Sequence, residues 1–462
     1  MAPERLLNRA VELLALGDAW AGARRGDPQL VVLWGRRRVG KTFLLSRFAR
    51  DKRAVFFGAT QQSEGVELAR LAETARRDLG DPALDLVGGR FASWEAALRY
   101  FVASARDEPL LVVLDEVPYL LRSTRGFASV VQAVWDHVPP GSKLMLVLTG
   151  SAVGTIEGLL GGGGALRGRP TRALRLDPLT PVQARTFLPG LDGASFLEAF
   201  AACGGYPLHL RRWDASATTA ENLLELAGTP GGILLEDASG ILREELPEVG
   251  GYPRILAAVG RGRTRMSEIA AEADQRVEHP VDVLVRAGLV RRSVSVGAPR
   301  RARAIYELAD PYLAFWFGVL YSDLPHIEAG QGRAVLKRSA ELWQRHLGWV
   351  FEESARAHAV RLVSRGDLPD DLVVGRWWAT KPEPCEVDVL GLRGSRTAML
   401  GEVRWRARPL DQRDLHELIG KVSRVPHAVS DPVFVLWGRS GISEDARAAG
   451  ALGFAVEDVL RP

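Results

Sequence analysis

The stretch "QLVVLWGRRRVGKTFLL", residues 29–45, limits the possible folds more than any other part of the chain. Leu30 to Trp34 are apolar without interruption, the pattern of a strand covered on both faces in a parallel sheet. Gly35-Arg36-Arg37-Arg38-Val39-Gly40-Lys41-Thr42 then fits G-x-x-x-x-G-K-S/T, and an apolar helix start follows. In this pattern the glycines let backbone N–H groups curl around phosphate oxygens. The lysine reaches the terminal phosphates, and the Thr hydroxyl can ligate magnesium. An α/β architecture with a parallel sheet is therefore expected, with all eight loop residues lining a phosphate site.

A second apolar run, "PLLVVLDEVPYL", ends in Asp115-Glu116. A carboxylate at the end of such a strand is suited to holding magnesium, so Thr42 and Asp115 form the expected metal pair. Glu116 is placed to orient and polarise an attacking water, which favours hydrolysis over transfer to a second substrate. "RAVFFGA" (53–59) and "KLMLVLTGS" (143–151) read as further strands of the same sheet. The second ends in Thr149 and Ser151, polar tips where the carboxyl ends of strands meet a ligand crevice. Downstream, "GGGGALRGRPTRALRLDPLTP" is a glycine-rich loop carrying Arg167 and Arg169 before another strand. Either arginine is a candidate to neutralise charge during phosphoryl transfer, in its own site or in a neighbouring copy's.

With 462 residues the chain has room for about three domains. No apolar run approaches the ~20 residues a membrane span needs, and the N-terminal segment, which carries Glu4 and Glu12 and lacks an unbroken apolar core, does not read as a signal peptide. Cys203 and Cys385 match no zinc or disulfide spacing. A cytoplasmic, reduced protein without a membrane partner is expected. Net charge is only +4, too small to argue for nucleic acid by itself. Positive charge is nearly all Arg, and one of only six lysines is Lys41. An ammonium is a compact point charge that a planar guanidinium cannot replace.

The motifs "NR-x-x-EL" (Asn8 to Leu13), "GRRRVGKT", "LDEVPYL", "LTGS", "GRPTRALRLDPLT" and "GGYP" (204–207) occur in that order. Together they resemble the archaeal-type ATPase family, a prokaryotic branch of the AAA-like and STAND-like P-loop ATPases. The resemblance runs over most of the chain. It implies ATP and magnesium as cofactors and a small helical lid over about 178–235. It also implies that the Gly-Gly-Tyr-Pro turn couples lid position to nucleotide.

Residues 253–309 read as three short helices and two strands, "VRRSVSV" and "ARAIYELA", joined by "GAPRR". That order is a winged helix-turn-helix. Arg291, Arg292, Arg300, Arg301 and Arg303 concentrate positive charge on the wing, where they suit DNA phosphates. Such modules also serve as plain packing units.

"DPYLAFWFGVLY" (310–321) reads as an aromatic core helix. Beyond it come a helix bearing Glu352 and Glu353, then strands carrying Asp388 in "EVDVLGL" and Glu402 in "TAMLGEVRWRA". This order, with the two acids fourteen positions apart, resembles the restriction-endonuclease-like fold, which often terminates archaeal-type ATPases. That resemblance makes Asp388 and Glu402 a metal pair and Glu352 an accessory acid. It also places Lys two residues beyond the Glu. Here Arg404 stands instead, which keeps the charge but is a poor proton acceptor. Lys421 is the alternative source of an ammonium.

The expected organisation is an ATPase core (1–177), helical lid (178–240), winged helix (241–310) and nuclease-like domain (311–462). The expected function is an ATP-hydrolysing switch acting on a DNA-facing module. The rivals are a regulator that binds ATP without turnover and an ATP-gated, metal-dependent nuclease. Duplex DNA and further copies of the chain are the partner classes considered.

Overall fold

The computed structural model describes residues 8–81, 89–246, 250–299, 301–380 and 383–462. It divides into two compact units, Met1–Pro178 with Arg243–Pro247, and Leu179–Leu242 with Glu248–Pro462. No helix among the described residues is long and apolar enough to cross a membrane. Both cysteines are free and buried.

The first unit is built on a five-stranded sheet. Its strands are β1 (Gln29–Trp34), β2 (Ala54–Gly58), β3 (Leu110–Asp115), β4 (Leu144–Gly150) and β5 (Arg172–Arg175). Their order is β2-β3-β4-β1-β5, and every pairing is parallel. Parallel neighbours need crossover connections, and the helices that supply them cover both faces of the sheet. This is why β1, β3 and β4 are buried along their whole length. Phe57, Trp94, Phe101 and Phe127 fill one side of that core. With β4 inserted between β1 and β3, the carboxyl ends of these three strands open side by side.

The second unit begins with helices and continues through three short ones, Tyr252–Gly260, Met266–Ala273 and Glu278–Arg286. An antiparallel hairpin of β6 (Val290–Ser293) and β7 (Ile305–Leu308) follows. The 310–321 segment is buried as expected but is not one helix. A short helix, Pro311–Phe315, widens into a π-type turn over Trp316–Leu320. The Gly-Gly-Tyr-Pro turn belongs to this unit's core. Tyr206 is fully buried, packs on His209 and Tyr312, and donates its hydroxyl to Asp310.

The last sheet contains β8 (Leu372–Ala379), β9 (Cys385–Arg393), β10 (Arg396–Arg404), β11 (Val433–Gly438) and β12 (Leu452–Ala455). Strands β8, β9 and β10 are antiparallel, whereas β10, β11 and β12 run parallel. The long helix Ala340–Arg365 and the helix Gln412–Gly420 pack against this sheet.

Candidate nucleotide site and C-terminal charge cluster

The phosphate loop joins β1 to the helix Lys41–Ala49, and two glycines make its path possible. Gly40 caps the helix with φ 97°, a left-handed conformation that a side chain would strain. At Gly35 a methyl group would overlap the Leu176 carbonyl oxygen. The Lys41 ammonium is buried and donates to the carbonyls of Gly35 (2.7 Å) and Arg36 (3.1 Å). Burial lowers its pKa, opposed by the charges of Glu116, Asp115, Glu244 and Glu245.

The expected acids meet this loop from β3. Thr42 donates its hydroxyl to Asp115 Oδ2 at 2.7 Å, so hydroxyl and carboxylate already converge. That donor set fits a magnesium ion. Glu116 stands in a left-handed conformation (φ 56°) at the start of the next helix. Its Oε2 accepts from the Ser151 hydroxyl (2.8 Å) and backbone N–H (3.2 Å). Burial raises its pKa above the ordinary carboxylate value. Thr149 is fully buried at the end of β4, and its hydroxyl has no hydrogen-bond partner among the described residues. A buried hydroxyl of this kind is costly unless a further group satisfies it.

The arginine pair falls elsewhere. Arg169 makes a bidentate pair with Asp136 (both contacts 2.8 Å), just beyond the helix Phe127–Trp135. Thr171, two residues on, donates to the Leu30 carbonyl near the start of β1. Arg169 and the exposed Arg167 therefore sit at the amino ends of the strands, opposite the phosphate loop. Neither serves this chain's own site, which corrects that half of the expectation.

Three residues not singled out from sequence join the loop. Arg9 is buried and donates to Glu12 (3.1 Å) and to the carbonyls of Val39 (3.0 Å) and Asp177 (2.9 Å). It ties the phosphate loop to the segment after β5. Glu244 pairs with Arg37 at 2.7 Å. Glu245 accepts from the Val153 N–H at 3.1 Å, and burial raises its pKa to about 7. The Arg9 contact could have been suspected, since Arg9 lies within the "NR-x-x-EL" motif. No local signal marked the two glutamates.

In the second unit the acids and bases of β9 and β10 do come together. Asp388 Oδ2 accepts from the Val403 N–H (3.0 Å) and from Arg404 (3.3 Å). Glu402 pairs with Arg404 through one oxygen and with Lys421 (2.7 Å) through the other. Glu352 lies nearby, its pKa raised to about 7 by burial and then by the Asp388 charge. Arg404 thus bridges the two carboxylates expected to hold a metal. A divalent ion would have to displace it from both, so the set as arranged does not fit one. Among the described residues no three His, Cys, Asp or Glu side chains are grouped as metal ligands.

The wing arginines divide. Arg291 pairs with Glu353 (2.7 Å) and Glu307 (3.5 Å). This holds the hairpin on the helix Ala340–Arg365 and removes Arg291 from the expected DNA-facing set. Arg292 donates to the Ala302 carbonyl within the hairpin (3.3 Å). Arg301 and Arg303 are exposed, and Arg300 lies outside the described residues.

Comparisons with known proteins agree with this architecture. A family profile described as an ATPase domain predominantly from Archaea matches residues 6–212. A second, described as archaeal and bacterial proteins of unknown function, matches residues 316–418. An uncharacterised protein of Methanocaldococcus jannaschii is 22% identical over 427 residues, spanning 89% of this chain and 90% of that protein. Among solved structures, a Walker-type ATPase of Pyrococcus abyssi is similar with a TM-score of 0.50 and 20% identity, over 68% of this chain and 96% of that one. The Aeropyrum pernix ORC2 protein matches at 15% identity and a TM-score of 0.46, over 73% of this chain and 97% of that one. The chain therefore carries an archaeal-type P-loop ATPase domain over residues 6–212, joined to a C-terminal domain of a family whose function is unknown.

Proposed function

We propose that this protein is an ATP-hydrolysing switch whose nucleotide state governs contact with duplex DNA through the hairpin module of residues 252–308. The observation that carries the reading is the convergence of Lys41, Thr42, Asp115, Glu116 and Thr149 at the carboxyl ends of β1, β3 and β4. The loop N–H groups and Lys41 bind and orient the phosphates. Thr42 and Asp115 would hold a magnesium ion, which would supply charge neutralisation at the phosphate oxygens. Glu116 orients the attacking water once it leaves Ser151, and its raised pKa suits a group that must take up a proton. The Thr149 hydroxyl is placed to sense the terminal phosphate. Arg169 would serve a neighbouring copy's site only after release from Asp136. On the DNA side, Arg301 and Arg303 provide phosphate contacts. The C-terminal sheet is a nuclease-type scaffold whose acids are neutralised by Arg404 and Lys421.

Steady-state turnover and equilibrium nucleotide binding test this reading. Lys41→Ala should lose nucleotide binding. Glu116→Gln should retain it and hydrolyse ATP at least about 100-fold more slowly, and duplex DNA should change the wild-type rate. Glu116→Gln turning over ATP at the wild-type rate would overturn the assignment.

A further inference from the structure

The helix Ile233–Glu245 ends at the phosphate loop, and its last residues belong to the same compact unit as that loop. Glu244 holds Arg37 of the loop at 2.7 Å, and its second oxygen is buried with no hydrogen-bond partner among the described residues. Glu245 accepts from the N–H of Val153 at the start of the helix Val153–Leu160, which follows β4. Lys41 feels both charges, and Arg36 feels that of Glu245. The two carboxylates therefore bridge the loop after β1 and the segment after β4, across the crevice where a phosphate tail seats.

Two carboxylates beyond Asp115 and Glu116 lie among the cations of this loop. Lys41 is surrounded by Asp115, Glu116, Glu244 and Glu245. Asp115 and Glu116 have roles in the proposed hydrolysis, whereas Glu244 and Glu245 have none. Glu244 sits on the Arg37 guanidinium and Glu245 on the Val153 N–H, so each adds negative charge beside the phosphate loop. Like charges in a partly buried site repel far more strongly than in water, and the repulsion grows with every added phosphate.

We infer that Glu244 and Glu245 form an anionic latch on the phosphate loop, which the nucleotide must displace and which discriminates against the triphosphate relative to the diphosphate. The inference rests on the assignment of this loop as an ATP site. The latch makes occupancy by ATP conditional: whatever draws Glu244 and Glu245 off Arg37 and Val153 raises the affinity for the triphosphate. Glutamine is the informative replacement, because it keeps the shape and the carbonyl that accepts from Val153 while removing the charge.

The experiment measures equilibrium affinities of the full-length protein for Mg-ATP and Mg-ADP by titration calorimetry. It compares the wild type with Glu244→Gln/Glu245→Gln, and includes Glu236→Gln, an exposed residue of the same helix, as a control. The double variant should bind ATP about ten-fold more tightly, with ADP gaining no more than two- to three-fold. Glu236→Gln should leave both affinities unchanged. Equal gains for ATP and ADP, no gain, or a loss in the double variant would overturn the latch while leaving the ATP site standing. Binding of neither nucleotide by the wild type or the double variant would overturn the ATP site and the latch together. Binding by the double variant alone would support both.

Discussion

Replacing Arg9 with Met should loosen the phosphate loop without touching a residue that faces nucleotide. The guanidinium lies against the first helix, Ala10–Arg24. One of its nitrogens donates both to the Val39 carbonyl inside the loop and to the Asp177 carbonyl beyond β5. Methionine preserves the aliphatic stem and removes every donor. The Val39 carbonyl is then buried without a partner, at a cost of about 1–3 kcal/mol. Asp177 is exposed, so water can satisfy its carbonyl and the additional loss is about 1 kcal/mol. Glu12 loses its partner but keeps access to solvent. Removing a buried guanidinium also relieves a desolvation cost, which is what lowers the Arg9 pKa. The net expectation is a loss of about 2–3 kcal/mol, or roughly 4–12 °C in melting temperature for a unit of this size. Calorimetry gives the melting shift. Hydrogen exchange of the amides of residues 36–45 locates it, and these should exchange faster in the variant. Arg9→Lys should fall between the two, since an ammonium on that stem reaches one carbonyl more readily than both. A melting temperature within 2 °C of wild type, with loop exchange unchanged, would refute the idea that Arg9 holds the loop in place.

Two further outcomes follow from the second unit. His346 is buried among Phe315, Trp343 and Trp349, donates Nε2–H to the Ala201 carbonyl (2.9 Å), and has its pKa lowered by burial to about 4. The unfolded chain binds that proton near pH 6.5, so this contribution is complete above pH 6.5 and is lost as pH falls towards 4. It amounts to about 3 kcal/mol. Denaturant unfolding from pH 7 to 4.5 should show a shallower decline in His346→Gln than in wild type, and parallel curves would exclude the titration. In the C-terminal cluster, Arg404→Ala should release Asp388 and the Glu402 oxygen not held by Lys421, and so raise affinity for manganese at least about ten-fold, read by paramagnetic resonance. Adding Asp388→Ala should abolish that gain; wild-type manganese binding already as tight as the variant's would show that Arg404 does not block the site.

The local pieces of the nucleotide site were legible in the sequence because each rests on neighbours in the chain. A strand covered on both faces must read as an unbroken apolar run, and a loop that wraps phosphate needs its glycines, Lys41 and Thr42 at fixed offsets. The same holds for Asp115 and Glu116, which inherit their position from the end of β3. The strands carrying Asp388 and Glu402 were readable for a similar reason, and they agree closely with β9 and β10.

What tertiary structure decided was the choice of partners for charged side chains. Glu244 and Arg37 are 207 positions apart, and no local pattern announces that a helix will end on the loop. Arg169 had a plausible place in phosphoryl transfer until the helix Phe127–Trp135 brought Asp136 to it at the opposite end of the strands. Arg291 looked like a phosphate contact until Glu307 and Glu353 took it, while Arg301 and Arg303 on the same hairpin stayed exposed. Arg404 carries the same charge as the lysine that the resemblance places there, but its forked donors reach Asp388 and Glu402 together. A charge in sequence is only a potential interaction. Burial makes leaving it unpaired expensive, and the fold determines which opposite charge lies close enough to pair with it.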